Sequence, residues 1–160
     1  MENLWSETGL LDSVRSIIPV WFSNSTHRSD GMSGDGEGER DSAPLAGQKV
    51  LVVEDEFFVG LEIAHTLEAA GAEIIGPAWS LADAEKLADA PIDMAVLDVN
   101  MNGEYAIDLA VQLKRKGVRT VFATAHIDDD ALFQGEAATI PRLSKPTTAR
   151  ALLRALVPAN

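Results

Sequence analysis

Four segment ends in the 160-residue chain carry side chains able to handle a phosphate or a hard cation, and each closes a run of mostly apolar residues. Glu54, Asp55 and Glu56 follow KVLVV; Asp98 follows IDMAVL; Thr124 closes TVFAT; Ser144 and Lys145 follow ATIPRL. Carboxylates brought together repel and raise one another's pKa unless a cation stands among them. Oxygen ligands of this hardness suit Mg²⁺, with Mn²⁺ as the alternative, and a chain without cysteine has no thiolate for zinc or copper. A carboxylate beside such an ion, a lysine and a hydroxyl can attack phosphorus, because the cation and the donors neutralise charge on the equatorial oxygens. On that chemistry Asp98 is the nucleophile. Glu54, Asp55 and Asp98 hold the ion, aided by the backbone carbonyl of Asn100, and Lys145 and Thr124 contact phosphoryl oxygens. No histidine is needed: His27 lies in a polar stretch, His65 falls mid-helix, and His126 follows the strand too late to be more than a rim contact. Any one of these carboxylates alone reads as a helix cap or a solvated loop residue; the agreement of four segment ends is what singles them out.

The elements that must position these groups can be read from periodicity. KVLVVE is a short apolar strand, and Phe57, Leu61, Ala64 and Leu67 then follow the helical period to a stop at Gly71. The alternation repeats. AEIIGP (72–77) reads as a strand, Ser80 caps a helix through Leu81, Ala84 and Leu87, and 92–98 reads as the third strand. A third helix is expected over 104–116, a fourth strand over 120–124, a fourth helix over 128–136, a last strand over 138–144, and a final helix capped near Thr147. Apolar strands separated by helices predict a parallel sheet covered on both faces, since each parallel crossover returns through a right-handed helix. In open sheets of this kind the ligand crevice lies outside the carboxyl ends of the strands, where the acidic residues and Lys145 stand.

Composition sets the remaining bounds. A net charge of -12 with no basic cluster repels phosphate backbones and anionic membranes, so direct nucleic-acid binding is not expected. No run of about 18 apolar residues and no basic-then-apolar leader pattern occurs, which predicts a cytoplasmic protein without membrane insertion. Residues 23–47 are rich in Ser, Gly, Asp and Glu and read as a disordered linker. Before it, Leu10, Val14, Ile17 and Trp21 make one apolar helical stripe within residues 1–22.

The segments LVVEDE, LDVNM, FATA and SKP, in that order and spacing, closely resemble the receiver domain of two-component response regulators over residues 48–158. The resemblance implies a five-stranded parallel sheet in the order 2-1-3-4-5, flavodoxin-like, with helices on both faces. It further implies Mg²⁺-dependent phosphorylation of Asp98 by a histidine kinase or phosphotransfer protein, autodephosphorylation, and signalling to a downstream protein rather than metabolic catalysis. VFATAH and PRLSKP partly resemble the stand-alone subgroup marked by Phe-Ala-Thr-Gly-Tyr, with Ala125 and His126 at the Gly-Tyr positions. With no output domain in view on either side, a single-domain regulator is expected. Receivers usually carry Phe or Tyr three residues before the lysine, and here that position is Arg142. A guanidinium does not swing into an apolar pocket as an aromatic ring does, so the switch should be read instead in residues 124–145. Two other classes fit these residues less well. A small Mg²⁺-dependent aspartyl phosphatase needs an acid two residues past its nucleophile, where this chain has Asn100. A phosphorylation-independent binding module would have no need of Asp55, Asp98, Thr124 and Lys145 together.

Overall fold

The computed structural model describes residues 43–157. The expected helix in residues 1–22 and most of the expected linker lie outside the described residues. The end of that linker does not: residues 44–47 form a turn, Leu45 is fully buried, and its N–H donates to the carbonyl of Ala70. Among the described residues, packed structure therefore reaches back into the end of the expected linker.

Five parallel strands form the sheet: β1 (Lys49–Val53), β2 (Glu73–Ala78), β3 (Met94–Leu97), β6 (Arg119–Thr124) and β7 (Arg142–Ser144), in the order β2-β1-β3-β6-β7. Counting the sheet strands along the chain, this is the expected 2-1-3-4-5. Because successive side chains point to opposite faces, each central strand supplies both layers of the core. Val50, Val52, Met94, Val96, Val121 and Ala123 pack with α1 (Phe57–Ala69) and α4 (Ala149–Leu156). Leu51, Val53, Ala95, Leu97 and Phe122 pack on the other side with α2 (Leu81–Leu87) and α3 (Ile107–Arg115). The register places Val53 beside Leu97 and Leu97 beside Phe122, so the polar residues that follow these strands emerge at one edge.

Ser80 caps α2 as expected, its hydroxyl accepting the Asp83 N–H at 3.1 Å. The last helix is capped by Thr148, one residue past the expected Thr147, with its hydroxyl accepting from Ala151 N–H.

Two segments depart from the periodicity. The third helix starts at Ile107 rather than Glu104, because residues 100–105 pair as a two-stranded hairpin, β4 (Asn100–Met101) with β5 (Glu104–Tyr105). Its turn is Asn102-Gly103, both at positive φ (55° and 94°), the conformation for which an Asn-Gly pair is favoured between antiparallel strands. The fourth helix expected over 128–136 is not formed. Residues 125–134 run as turns and bends, followed by a 3₁₀ turn at Gly135–Thr139. Three consecutive aspartates compete with the helical backbone: Asp129 Oδ1 accepts the N–H of Ala131. Gly135, at φ 57°, then takes a left-handed conformation that ends any helical run. Pro141 lacks an N–H, so the last strand shortens to three residues, Arg142–Ser144.

Candidate functional site

The fold delivers Glu54 and Asp55 from the end of β1, Asp98 from the end of β3, Thr124 from β6 and Lys145 from just past β7. Lys145 is the hub. Its Nζ lies 2.8 Å from Glu54 Oε1, 2.6 Å from Glu54 Oε2 and 2.7 Å from Asp98 Oδ2, with Glu56 Oε1 at 3.6 Å. Only 12% of the Lys145 side chain is exposed and Glu54 is fully buried, so the charges are far less screened here than on the surface.

Asp98 is held at both oxygens. Oδ1 accepts the N–H of Val99 at 2.6 Å and that of Asn100 at 3.4 Å, while Oδ2 accepts from Lys145 alone. Asp55 Oδ2 accepts the N–H of Asn102 at 2.8 Å, which ties the hairpin after β3 to the loop after β1. This contact escaped the sequence reading, and Asn102-Gly103 was its one legible sign. The side-chain oxygen of Asn100 accepts from Gly103 N–H at 2.7 Å, so it braces the turn. Thr124 is fully buried; its hydroxyl accepts the His126 N–H at 3.1 Å, and its carbonyl accepts the Lys145 N–H at 3.1 Å.

Burial pushes the Glu54 carboxyl above its ordinary range. The hydrogen bond and charge of Lys145 oppose that rise, and Asp98 adds to it. For Lys145, burial works against the ammonium, yet the hydrogen bonds and charges of Asp98 and Glu54 outweigh it and hold its pKa above 10.5. One oxygen from each of Glu54, Asp55 and Asp98 lies within 4.8 Å of the others. With all three ionised, one ammonium leaves an excess of two negative charges, the charge of one divalent cation. Glu54 Oε2 is the one buried side-chain oxygen or nitrogen among the described residues without a hydrogen bond, despite its nearness to Nζ. An all-oxygen donor set whose excess negative charge one ammonium does not balance fits Mg²⁺ or a similar hard ion.

At the rim, Phe57 stacks on Trp79 with ring centroids 5.0 Å apart, and Phe58 is 82% exposed. His126 is an exposed residue just past β6, and His65 lies on α1; neither enters the cluster. Arg142 faces the helix-free segment: its guanidinium donates to the Ile127 carbonyl at 3.0 Å, lies 3.4 Å from Asp130 Oδ1, and sits 4.5 Å from the centre of the Phe133 ring.

These features define a doubly wound parallel α/β domain with one acid-lysine pocket outside the carboxyl ends of its strands. The model of the response regulator receiver domain matches residues 50–157, and the chain belongs to that family. It is 34% identical over 102 residues to the sensory transduction protein LytT of Bacillus subtilis (strain 168), covering 61% of this chain and 42% of LytT. The chain spans less than half the length of the curated relatives it matches. Among solved structures it resembles a response regulator receiver domain protein from Clostridium thermocellum, with TM-score 0.60 and 25% identity, covering 68% of this chain and 90% of that one. It also shares its fold with a response regulator protein from Burkholderia pseudomallei bearing a phosphorylated aspartic acid, a calcium ion and citrate, with TM-score 0.61, 23% identity, and 68% and 66% of the two chains covered. No helix among the described residues is long and apolar enough to cross a membrane.

Proposed function

We propose that this receiver domain takes a phosphoryl group onto Asp98 from a histidine kinase or phosphotransfer protein, in a Mg²⁺-dependent step, and passes the signal to a downstream protein in the cytoplasm. The observation that carries this reading is the Lys145 ammonium at 2.7 Å from Asp98 Oδ2, with Glu54 and Asp55 beside it. Glu54, Asp55, Asp98 and the carbonyl of Asn100 would hold the ion, which supplies charge neutralisation for the phosphoryl oxygens. Asp98 Oδ1 is fixed by two backbone N–H groups, so Oδ2 is the oxygen free to attack once Lys145 shifts. An O–P bond forms at Asp98 as the bond from phosphorus to the donor nitrogen breaks. Lys145 moves with the charge onto the phosphoryl oxygens, and the Thr124 hydroxyl donates a second hydrogen bond. Phe57 and Phe58 give the rim an exposed apolar surface for a partner protein to cover while its phosphoryl group enters the pocket.

The test is incubation of the protein with a small phosphoryl donor and Mg²⁺, followed by mass analysis of the intact chain and its peptides. Added phosphoryl mass on the peptide carrying Asp98, lost in Asp98→Asn, is the expected result. Unchanged labelling of the Asn variant, or no labelling of the wild type, would overturn the assignment.

A further inference from the structure

We infer that Trp79 is a positioning residue for the acid-lysine pocket: its ring walls one flank of Glu54 off from water and thereby strengthens that carboxylate's hold on a hard divalent cation. The inference rests on the proposed reading of the pocket as a cation site. Glu54 and Asp55 are neighbours in sequence with opposite surroundings, the first fully buried and the second partly open. Lys145 meets the oxygens of Glu54, and another group must cover its stem. Gly60 shows which. A Cβ built there would lie 2.7 Å from Trp79 Cζ3, 3.2 Å from Trp79 Cη2 and 3.4 Å from Glu54 Cβ, so the indole and the Glu54 side chain flank the same bare spot on α1. Phe57 closes the outer side by stacking on Trp79, with ring centroids 5.0 Å and planes 32° apart.

The backbone is built to turn this ring toward α1. Ile75 and Ala78 both pack on the side of α2 and α3, although residues three apart in a regular strand face opposite sides. The register with β1 explains the exception: Leu51 lies beside Ile75 but Val53 beside Ala78, so β2 holds one extra residue between them. Gly76, at φ 100°, permits the irregularity, since a Cβ there would meet the Val52 carbonyl oxygen at 2.9 Å and the Ala78 nitrogen at 2.8 Å. Plain alternation would carry Trp79 to the same side as Ile75; the extra residue sends it to the other. The Ala78 carbonyl then accepts the Glu54 N–H at 3.0 Å, which fixes Trp79 next to Glu54. A carboxylate open to water on every side attracts a cation weakly, because solvent screens its charge. Against an apolar wall the same attraction is several times stronger. A ring that also bars Glu54 from swinging outward keeps its oxygens aimed into the pocket.

Trp79→Leu narrows the wall, and Trp79→Phe keeps an aromatic ring at that position. On the full chain, isothermal titration with Mg²⁺ alone should show affinity lowered roughly tenfold in Trp79→Leu and much less in Trp79→Phe. A ring that merely packs would lower the urea midpoint and leave the ion affinity at its wild-type value, and that result would overturn the inference. A double-mutant cycle locates the effect. In Glu54→Gln the same Trp79→Leu change should leave the residual Mg²⁺ affinity unaltered; an equal factor in both backgrounds would show that the ring does not act through Glu54. Should Trp79→Leu fail to fold, Phe57→Ser, at a position 46% exposed, takes away the outer support of the ring. It should lower the affinity when Glu54 is present and not in Glu54→Gln, and any other pattern counts against the role of Trp79. Wild-type protein that takes up no Mg²⁺ would sink the cation reading and the inference with it, whereas wild-type uptake with unchanged variants would sink the inference alone.

Discussion

Lys145→Met removes one positive charge from the centre of the pocket while keeping the length and apolar bulk of the side chain. At an effective dielectric of about 20, two unit charges about 2.7 Å apart attract by roughly 6 kcal/mol, and Lys145 makes two such contacts, with Glu54 and Asp98. Most of that sum does not appear as lost stability. The ammonium no longer has to leave water, and loss of Lys145 removes the influence that opposes the burial-driven rise of the Glu54 pKa, which favours its neutral form. What remains is the cost of breaking a buried ion pair by deleting one partner, about 3–5 kcal/mol. That is a large share of the roughly 5–15 kcal/mol that holds a domain of this size together. The contact with exposed Glu56 at 3.6 Å adds nothing measurable. Urea denaturation in the presence of a chelator should show the loss at neutral pH. Added Mg²⁺ should stabilise the Met variant more than the wild type, because the ion then supplies the only positive charge. The pH dependence has a definite sign. Lys145 has its pKa raised above 10.5 in the folded state, so its contribution is complete below that value and is lost as pH climbs through the folded pKa. On the acid side the two proteins should converge as Glu54, whose carboxyl burial already pushes upward, becomes neutral and no longer needs a counter-charge. A Met variant with the wild-type urea midpoint at neutral pH, metal absent, would refute the view that this ammonium compensates buried carboxylates.

Asp55→Asn keeps an oxygen to accept the Asn102 N–H but loses the charge, so Mg²⁺ affinity should fall at least about tenfold with the hairpin intact; isothermal titration giving an equal affinity would remove Asp55 from the ligand set. Ser80→Ala should cost about 1 kcal/mol in urea melts at neutral pH through loss of the α2 cap. Because the Ser80 hydrogen bond, then Lys86, holds the Asp83 pKa below 3.8, that part of the stabilisation is present above 3.8 and lost as pH falls through the lower folded value, so the gap between the two proteins should narrow in acid. Gly60→Ala places a methyl group 2.7 Å from the Trp79 ring and should destabilise by about 1–3 kcal/mol in the same assay; a neutral result would show that the ring has room to turn.

The sheet was legible because KVLVV, MAVL and TVFAT are continuous apolar runs, and a strand buried on both faces leaves that trace. The site was legible for a related reason: polar groups at the ends of such runs must emerge at one edge of a parallel sheet. Glu54, Asp55, Asp98 and Lys145 could therefore be grouped across as many as 91 residues of chain. The segment after Thr124 was not legible. Leu132 and Phe133 supply apolar positions that mimic one helical turn, and three aspartates look like a favourable first turn. The competing Asp129 hydrogen bond and the left-handed Gly135 decide the outcome, and neither leaves a periodic signal. The hairpin at 100–105 was hidden in a stretch that also fits the start of a helix. Its Asn-Gly pair was the discriminating sign, and Asn102 turned out to touch Asp55. Arg142 was legible as a departure from the family pattern, but its place over Phe133 depends on the missing helix and could not be read without it.

The order in which the pocket's charges enter the chain bears on how the domain assembles. Glu54, Asp55 and Asp98 all precede Lys145, which lies 91 residues beyond Glu54 and 47 beyond Asp98. It follows β7, the edge strand, which is joined to the sheet only through β6. During synthesis the three carboxylates emerge before Lys145, so a sheet in which β1 pairs with β3 at that stage would hold them together without their ammonium, and docking of β7 would then relieve a repulsion as well as bury apolar surface.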